Sequence, residues 1–341
     1  MGGVMIATAV GCAGILGIPG DLEHGPSPVD GGSADALNEA APVDADLPDR
    51  LAAPDADAEP PPLCDVTKEF NAPAPLTSLN TAEDEGAARL SEDELTIYVD
   101  APRVATGPSY NIYFAKRLSL SASFGRLTAF PSVDNSIDTP DNDEYSPNVT
   151  TDGLTLLFER KIELTQDSNI YVATRTAKTL PFGPVSSVAN LNTPDYEANP
   201  FIRGDAKELW HVRKPVPNGP NIDISLARLE PGVGYVIEGP TGTLANVNSP
   251  TYDGSPVISK NGLALYFSSD RPGSLAGTNI WVATRGSRGV AFNAPVIVAN
   301  VSSAANEYPG FISGDGCRLY LVSTRAGGAG GQDIYVATRP R

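Results

Sequence analysis

The sequence predicts an all-β fold: a five-bladed β-propeller of four-stranded antiparallel blades, preceded by a disordered N-terminal tail. Three observations lead there. A unit of about 55 residues recurs five times, turn dipeptides sit at a fixed place in each unit, and Gly (33) and Pro (31) approach a fifth of the 341 residues. That density of helix breakers suits many short strands joined by turns.

The strand closing each unit is the plainest marker. NIYFAKR (111–117), NIYVATR (169–175), DISLAR (223–228), NIWVATR (279–285) and DIYVATR (333–339) begin 58, 54, 56 and 54 residues apart. Upstream of each lies an apolar strand with an aromatic residue: LTIYV from Leu95, LTLLF from Leu154, ELWHV from Glu208, LALYF from Leu263 and RLYLV from Arg318. Before that comes a turn pair: Asp93-Glu94, Asp152-Gly153, Asp205-Ala206, Asn261-Gly262 and Asp315-Gly316. The Asp-Gly and Asn-Gly pairs supply the positive φ of a tight hairpin. A fourth strand follows each closing strand, as in LPFGPVSSVANLNT from Leu180 and AFNAPVIVANVSS from Ala291. Four short strands per unit is propeller-blade spacing, and residues 67–341 hold five units ending near 117, 175, 228, 285 and 339.

The first such fourth-strand segment, FNAPAPLTSLN from Phe70, precedes the first unit, and the last unit ends without one. The N-terminal segment is therefore expected to form the outermost strand of the last blade, so that the two ends close the ring and leave no open edge.

SPVISKNGLALYFSSDRPG from Ser255 and YPGFISGDGCRLYLVSTR from Tyr308 resemble the WD-repeat-like propeller units of the TolB type, found in many exported bacterial proteins. The resemblance covers the chain after residue 67. It implies the propeller, and it implies little about function, because such propellers serve many roles. The third unit departs most, with Arg203 where the others have Ser or Thr.

Formal charge is −17, from 41 acids and 24 bases, which disfavours nucleic acid as a partner. Residues 21–65 hold twelve of those acids and one base, are rich in Pro, Ala and Asp, and contain no aromatic residue. Such a segment reads as a disordered, self-repelling linker over 21–66. Before it, residues 1–20 are uncharged apart from the chain terminus, and their apolar run is too short to span a bilayer. Ala9-Val10-Gly11-Cys12 resembles a bacterial lipobox, which implies lipidation of Cys12. An ordinary secretory signal and a cytosolic N-terminus are the alternatives. The expectation is an exported monomer, either an outer-membrane lipoprotein or a periplasmic or extracellular protein, with no transmembrane helix in the mature chain.

Setting Cys12 aside for lipid leaves Cys64 and Cys317. The two lie near one end of the last blade and could form a disulfide if the residues before Phe70 fold back. The other reading is a free thiol at Cys64 and a buried Cys317.

Eight positions before each turn lie Glu85, Glu144, Glu197, Asp253 and Glu307, acidic in all five units. They begin the innermost strands and are expected to ring the mouth of the central channel. Either each locks a blade, accepting backbone N–H bonds or pairing with Arg160, Arg213, Arg271 or Arg325, or several converge on Ca²⁺ or a basic partner. No cofactor is otherwise expected, and the metal question stays open. Asp134, Asp138, Asp141 and Asp143 form a cluster that reads as a solvated loop or a Ca²⁺ site. Of the two histidines, His24 lies in the linker and His211 sits alone in a strand.

No Ser-His-Asp order, phosphate loop or CxxC is present, and no further acid stands out from the repeat. The leading expectation is thus a non-enzymatic cell-envelope or secreted protein that binds an envelope protein or polysaccharide with one face. The alternatives are a glycosidase-like five-bladed propeller enzyme and a Ca²⁺-stabilised binding module.

Overall fold

The computed structural model describes residues 63–102, 109–133, 136–162, 167–193, 196–204, 206–214, 221–239 and 241–341. The readings made for the N-terminal segment, including Cys12, and those for Asp134 and Asp205, lie outside the described residues.

Twenty strands form five antiparallel sheets of four. Blade 1 is β2 (Gly86–Leu90), β3 (Thr96–Pro102), β4 (Tyr110–Lys116) and β5 (Thr128–Ala129). Blade 2 is β6 (Asn142–Val149), β7 (Thr155–Ile162), β8 (Ser168–Thr174) and β9 (Ser186–Ser187). Blade 3 is β10 (Glu197–Ile202), β11 (Glu208–Arg213), β12 (Asp223–Glu230) and β13 (Gly234–Ile237). Blade 4 is β14 (Asp253–Ile258), β15 (Ala264–Ser269), β16 (Asn279–Thr284) and β17 (Val296–Ile297). Blade 5 is β18 (Glu307–Ile312), β19 (Arg318–Ser323) and β20 (Asp333–Thr338), completed by β1 (Ala74–Pro75) from the other end of the sequence. The expected ring closure is therefore what the chain does: Ala74 pairs with Val336 and Pro75 with Tyr335.

The first strand of each blade is the innermost, and β2, β6, β10, β14 and β18 pack against one another in a ring. The turn chemistry follows the sequence. The second residue of every turn pair is left-handed: Gly153, Gly262 and Gly316 at φ 72°, 74° and 73°, but also Glu94 at 57° and Ala206 at 58°. The side chains of Asp93, Asp152, Asn261 and Asp315 accept the backbone N–H two residues on, which holds each loop shut.

The Arg ending four of the five closing strands has a shared task. Arg117, Arg175, Arg285 and Arg339 lie 4.2–4.5 Å from the ring centroids of Phe124, Phe182, Phe292 and Phe70, so each stacks on the aromatic residue of the connection that leads to the fourth strand. In blade 3, Arg228 instead pairs with Glu208 and Glu238.

Cys64 and Cys317 are joined as a disulfide, with Cα atoms 5.6 Å apart. The residues before Phe70 do fold back: Asp65 N–H donates to Pro340 O at 2.9 Å, and Arg339 donates to Val66 O and Lys68 O. The bridge spans a separation of 253 residues, and in the chain-entropy account a loop of that size stabilises by up to about 5 kcal/mol. Cys64→Ser is expected to lower the urea midpoint markedly, and added reductant should bring wild type down to the level of the variant.

Candidate functional site

The five repeated carboxylates come first, because their place decides what else can act. Glu85, Glu144, Glu197, Asp253 and Glu307 are buried, at 0–1% exposure, so they do not line an open channel mouth as the sequence suggested. Each accepts from a Ser or Thr four residues upstream, five for Glu144. Glu85 takes the backbone N–H and hydroxyl of Thr81, Glu144 those of Thr139, Glu197 those of Thr193, Asp253 those of Ser249 and Glu307 those of Ser303. The residue before that Ser or Thr continues the sheet. Asn80, Asn192 and Asn248 each bond both N–H and C=O of Ile334, Ile170 and Ile224 on the preceding blade's third strand. The repeat is thus a polar residue (Asn in three units, Asp138 and Ser302 in the others), then Ser or Thr, then the acid, and it fastens the connector between blades.

Three of the expected arginine partners are in place. Arg160 reaches Glu144 at 2.9 Å, Arg325 reaches Glu307 at 3.3 Å, and Arg271 pairs with Asp253. Arg213 faces Glu197 across the β10–β11 pair, and its Nε has no partner among the described residues. Burial raises the Glu144 carboxyl to about 7 despite Thr139 and Arg160. With their oxygens used this way, the ring offers little to a cation, and no group of three or more potential ligands able to hold a metal occurs among the described residues.

Two residues beyond the carboxylate in blades 1 to 4, and three beyond it in blade 5, the innermost strand breaks register in a β-bulge. Ala87, Ser146, Asn199 and Ser255 sit there at φ 47–51°. Bulges re-aim backbone N–H groups, here into a cavity on the axis.

That cavity is a funnel of about 470 Å³, within the usual range for small-molecule sites. Each blade contributes one tyrosine to its lining: Tyr110, Tyr145, Tyr196, Tyr252 and Tyr308. Tyr110 and Tyr145 pack with ring centroids 4.8 Å apart, and their hydroxyls donate to Asp84 and Asp143.

Two acids in the funnel break the fivefold pattern. Three residues beyond the first buried Ile or Leu of each second strand stand Asp100, Glu159, Val212, Ser268 and Val322. Asp100 and Glu159 lie in neighbouring blades, line the funnel and are almost fully buried. Each accepts the bulge N–H of the next blade: Ser146 N–H to Asp100 at 2.8 Å and Asn199 N–H to Glu159 at 3.2 Å. Glu159 also accepts from Ser168 Oγ at 2.6 Å, from the Asn199 amide and from the Tyr196 hydroxyl. Asp100 lies over Gly86, where an added Cβ would fall 2.0 Å from its Oδ2, so a larger residue there would displace the acid. Burial, reinforced by the charge of Glu159, raises the Asp100 carboxyl to about 7; burial raises Glu159 as well. The expectation that no acid stands out from the repeat is corrected here. In sequence, VDAP and FERK read as ordinary strand ends, and only the bulge of the next blade shows what these side chains face.

Two arginines close the axis below. Arg89 of blade 1 donates to Gly310 O of blade 5 at 2.8 Å and to Pro256 O of blade 4 at 3.5 Å, and lies 4.9 Å from the Phe201 ring of blade 3. Farther along, Arg203 of blade 3 forms a forked pair with Glu92 of blade 1, at 2.9 and 3.1 Å. It also bonds Ile258 O of blade 4 and lies 5.0 Å from the Phe311 ring of blade 5. A side chain touching three other blades can only sit on the axis, which explains why the third unit departs at Arg203.

The remaining sequence candidates are scattered. Asp138 accepts from Ile112 N–H, Asp143 serves Tyr110 N–H and Tyr145, and Asp141 is exposed. His211 is fully buried, and burial pushes it down to about 3, so it stays neutral. A larger cavity, about 1020 Å³, opens between blades 1 and 2 over Tyr98, Phe114 and Phe130. Of its acids, Glu92 is held by Arg203 and Asp93 caps its own turn.

No family model matches the chain, and no curated protein matches it. Solved structures similar to it include a protein from Agrobacterium tumefaciens described as a TolB, 17% identical, covering 76% of this chain and 84% of that one, TM-score 0.41. A family 117 glycoside hydrolase produced by the marine bacterium Zobellia galactanivorans is 11% identical over 80% of this chain and 88% of its own, TM-score 0.47. A thermostable family-43 glycoside hydrolase is 14% identical over 76% of this chain and 89% of its own, TM-score 0.47. Identities this low show a shared fold and nothing finer, and at that level the resemblance to TolB-type propellers stands. The expectation of a non-enzymatic protein does not stand. It rested on the apparent absence of acids that break the repeat, and the funnel carries such a pair, Asp100 and Glu159.

Glu197→Ala leaves the Thr193 N–H and hydroxyl without their acceptor. The expected cost is about 1–3 kcal/mol, read as a lower melting temperature; melting like wild type would show that the carboxylate does not fasten the connector.

Proposed function

We propose that the protein is a carbohydrate-active enzyme, a glycoside hydrolase that works in the central funnel. One observation carries this reading: Asp100 and Glu159 are the only two acids at a position that is Val, Ser and Val in the other three blades, and both are buried in a cavity open to substrate. Paired carboxylates in unlike environments are what glycosidic cleavage requires, one to give a proton and one to stay charged.

Asp100, raised to about 7, is suited to be the proton donor near neutral pH. Burial raises Glu159 too, but the donors from Ser168, Asn199 and Tyr196 on its oxygens favour its charged form, so with the proton on Asp100 it takes the carboxylate role. As the bond between the anomeric carbon and the glycosidic oxygen breaks, the leaving oxygen takes the Asp100 proton. Water then delivers hydroxyl to the anomeric carbon, and its proton restores the pair. The five tyrosines suit a sugar, since each offers an apolar ring face and a hydroxyl.

The Cys64–Cys317 bridge supports an exported protein, because such bonds persist outside the cytosol. We assign it to the envelope or the exterior of the cell, with Cys12 as its lipid anchor and a polysaccharide as its partner. No helix among the described residues is long and apolar enough to cross a membrane.

Reducing-sugar release from a panel of arabinans, galactans, xylans and pectins tests the activity. Asp100→Asn and Glu159→Gln should each lower the rate at least 100-fold while melting within a few degrees of wild type, in line with the usual weight of a positioned proton donor, about 10²–10⁴-fold. A panel without products, or variants as active as wild type, would end this reading.

The pH dependence follows from Asp100. Activity that needs its protonated form falls as pH rises through about 7. The sign for stability is the same. The folded chain keeps a proton that the unfolded chain sheds above 3.8, so the stability contributed by this group is lost between about pH 4 and 7. Rate–pH profiles and urea melts at several pH values check both.

A further inference from the structure

Arg89 and Arg203 cross the axis, and Arg89 shares the funnel lining with Asp100 and Glu159. We infer that the funnel receives only the end of a glycan chain, so that the hydrolase is exo-acting and removes the terminal residue. This rests on the hydrolase reading above and adds the mode of action to it.

The floor is made by Arg89. Its guanidinium side chain is 2% exposed and spans from blade 1 to blades 3, 4 and 5 through Phe201, Pro256 and Gly310. Burial lowers it to about 9, yet it stays charged at neutral pH and is too large to be passed by a sugar ring. Beneath it, the Arg203–Glu92 pair seals the axis a second time with contacts to blades 1, 4 and 5. A polysaccharide therefore cannot thread the propeller.

The depth of the acids sets where cleavage falls. Arg89 faces Tyr98 across the β2–β3 pair, and Gly86 faces Asp100. The Arg89 side chain nevertheless reaches carbonyls next to the bulges of blades 4 and 5, as Asp100 reaches the bulge N–H of blade 2, so the acid and the floor line the same part of the cavity. A bond placed beside Asp100 and Glu159 has the floor close on one side, which leaves place for a chain end there, and the rest of the glycan leaves through the tyrosine-lined mouth. An internal bond would need room on both sides, and the floor denies it.

The full-length protein incubated with linear arabinan, β-1,4-galactan, xylan and polygalacturonate distinguishes the possibilities by chromatography of early products and by viscosity. The expected result is a monosaccharide as the first and dominant product from at least one polymer, with viscosity nearly constant while sugar accumulates. A ladder of oligosaccharides with early collapse of viscosity would overturn the chain-end mode and leave hydrolysis standing. Release of no sugar of any length would overturn the hydrolase reading and this inference with it.

Discussion

A blade of four short strands cannot bury both faces by itself, so each depends on two neighbours, and the set is stable only when the last meets the first. The seam between blades 5 and 1 is built accordingly. β1 completes the sheet of β20, the Asn80 side chain carries the ladder on past Leu76, and the disulfide ties the returning segment to the start of β19. Across the seam Glu94, buried and left-handed at φ 57°, takes both arms of Arg318 at 2.7 Å and the Tyr320 hydroxyl at 2.8 Å, while Arg117 donates to that same hydroxyl. Gly310 lets β18 approach β2 so closely that a Cβ there would fall 2.2 Å from Ala88 O. The position of every inner side chain, the funnel included, follows from this closure.

Within the closed ring, repetition and its interruption do different things. Features present in most blades, such as the acid held by an upstream Ser or Thr and the Arg stacked on Phe, fasten connectors and turns. Features found in one or two blades meet on the axis, where five different chain segments converge. Arg89, Asp100, Glu159 and Arg203 are all of this second kind. Holding such groups away from water is costly unless they are bonded, and the bulge N–H groups of Ser146 and Asn199 and the carbonyls of Pro256, Ile258 and Gly310 provide those bonds. Perturbed carboxyl groups in a cavity are where chemistry is to be sought.

Much of the site was nevertheless hidden in the linear chain. The five carboxylates stand out because they recur, yet recurrence pointed to the axis, whereas their partners are local: Thr193 lies four residues from Glu197 and turns it away from the channel. Asp100 and Glu159 do not recur, and an acid near the end of a strand is commonly solvent-facing. Arg203 was visible as a departure, but its partner Glu92 is 111 residues away and two blades distant. The recurrent acids make structural contacts, the first of the two readings they carried, and those that looked ordinary reach the cavity.

From sequence alone came the strands, the turns, the number of blades and the pairing of the two chain ends, because strand alternation, positive-φ turn residues and repeat length are local or periodic properties. Only the tertiary structure decided which acids share a cavity, that Arg89 and Arg203 shut the channel, and that Cys64 meets Cys317. Those depend on how five twisted sheets converge on one axis, a relation between residues far apart in the chain that no local pattern encodes.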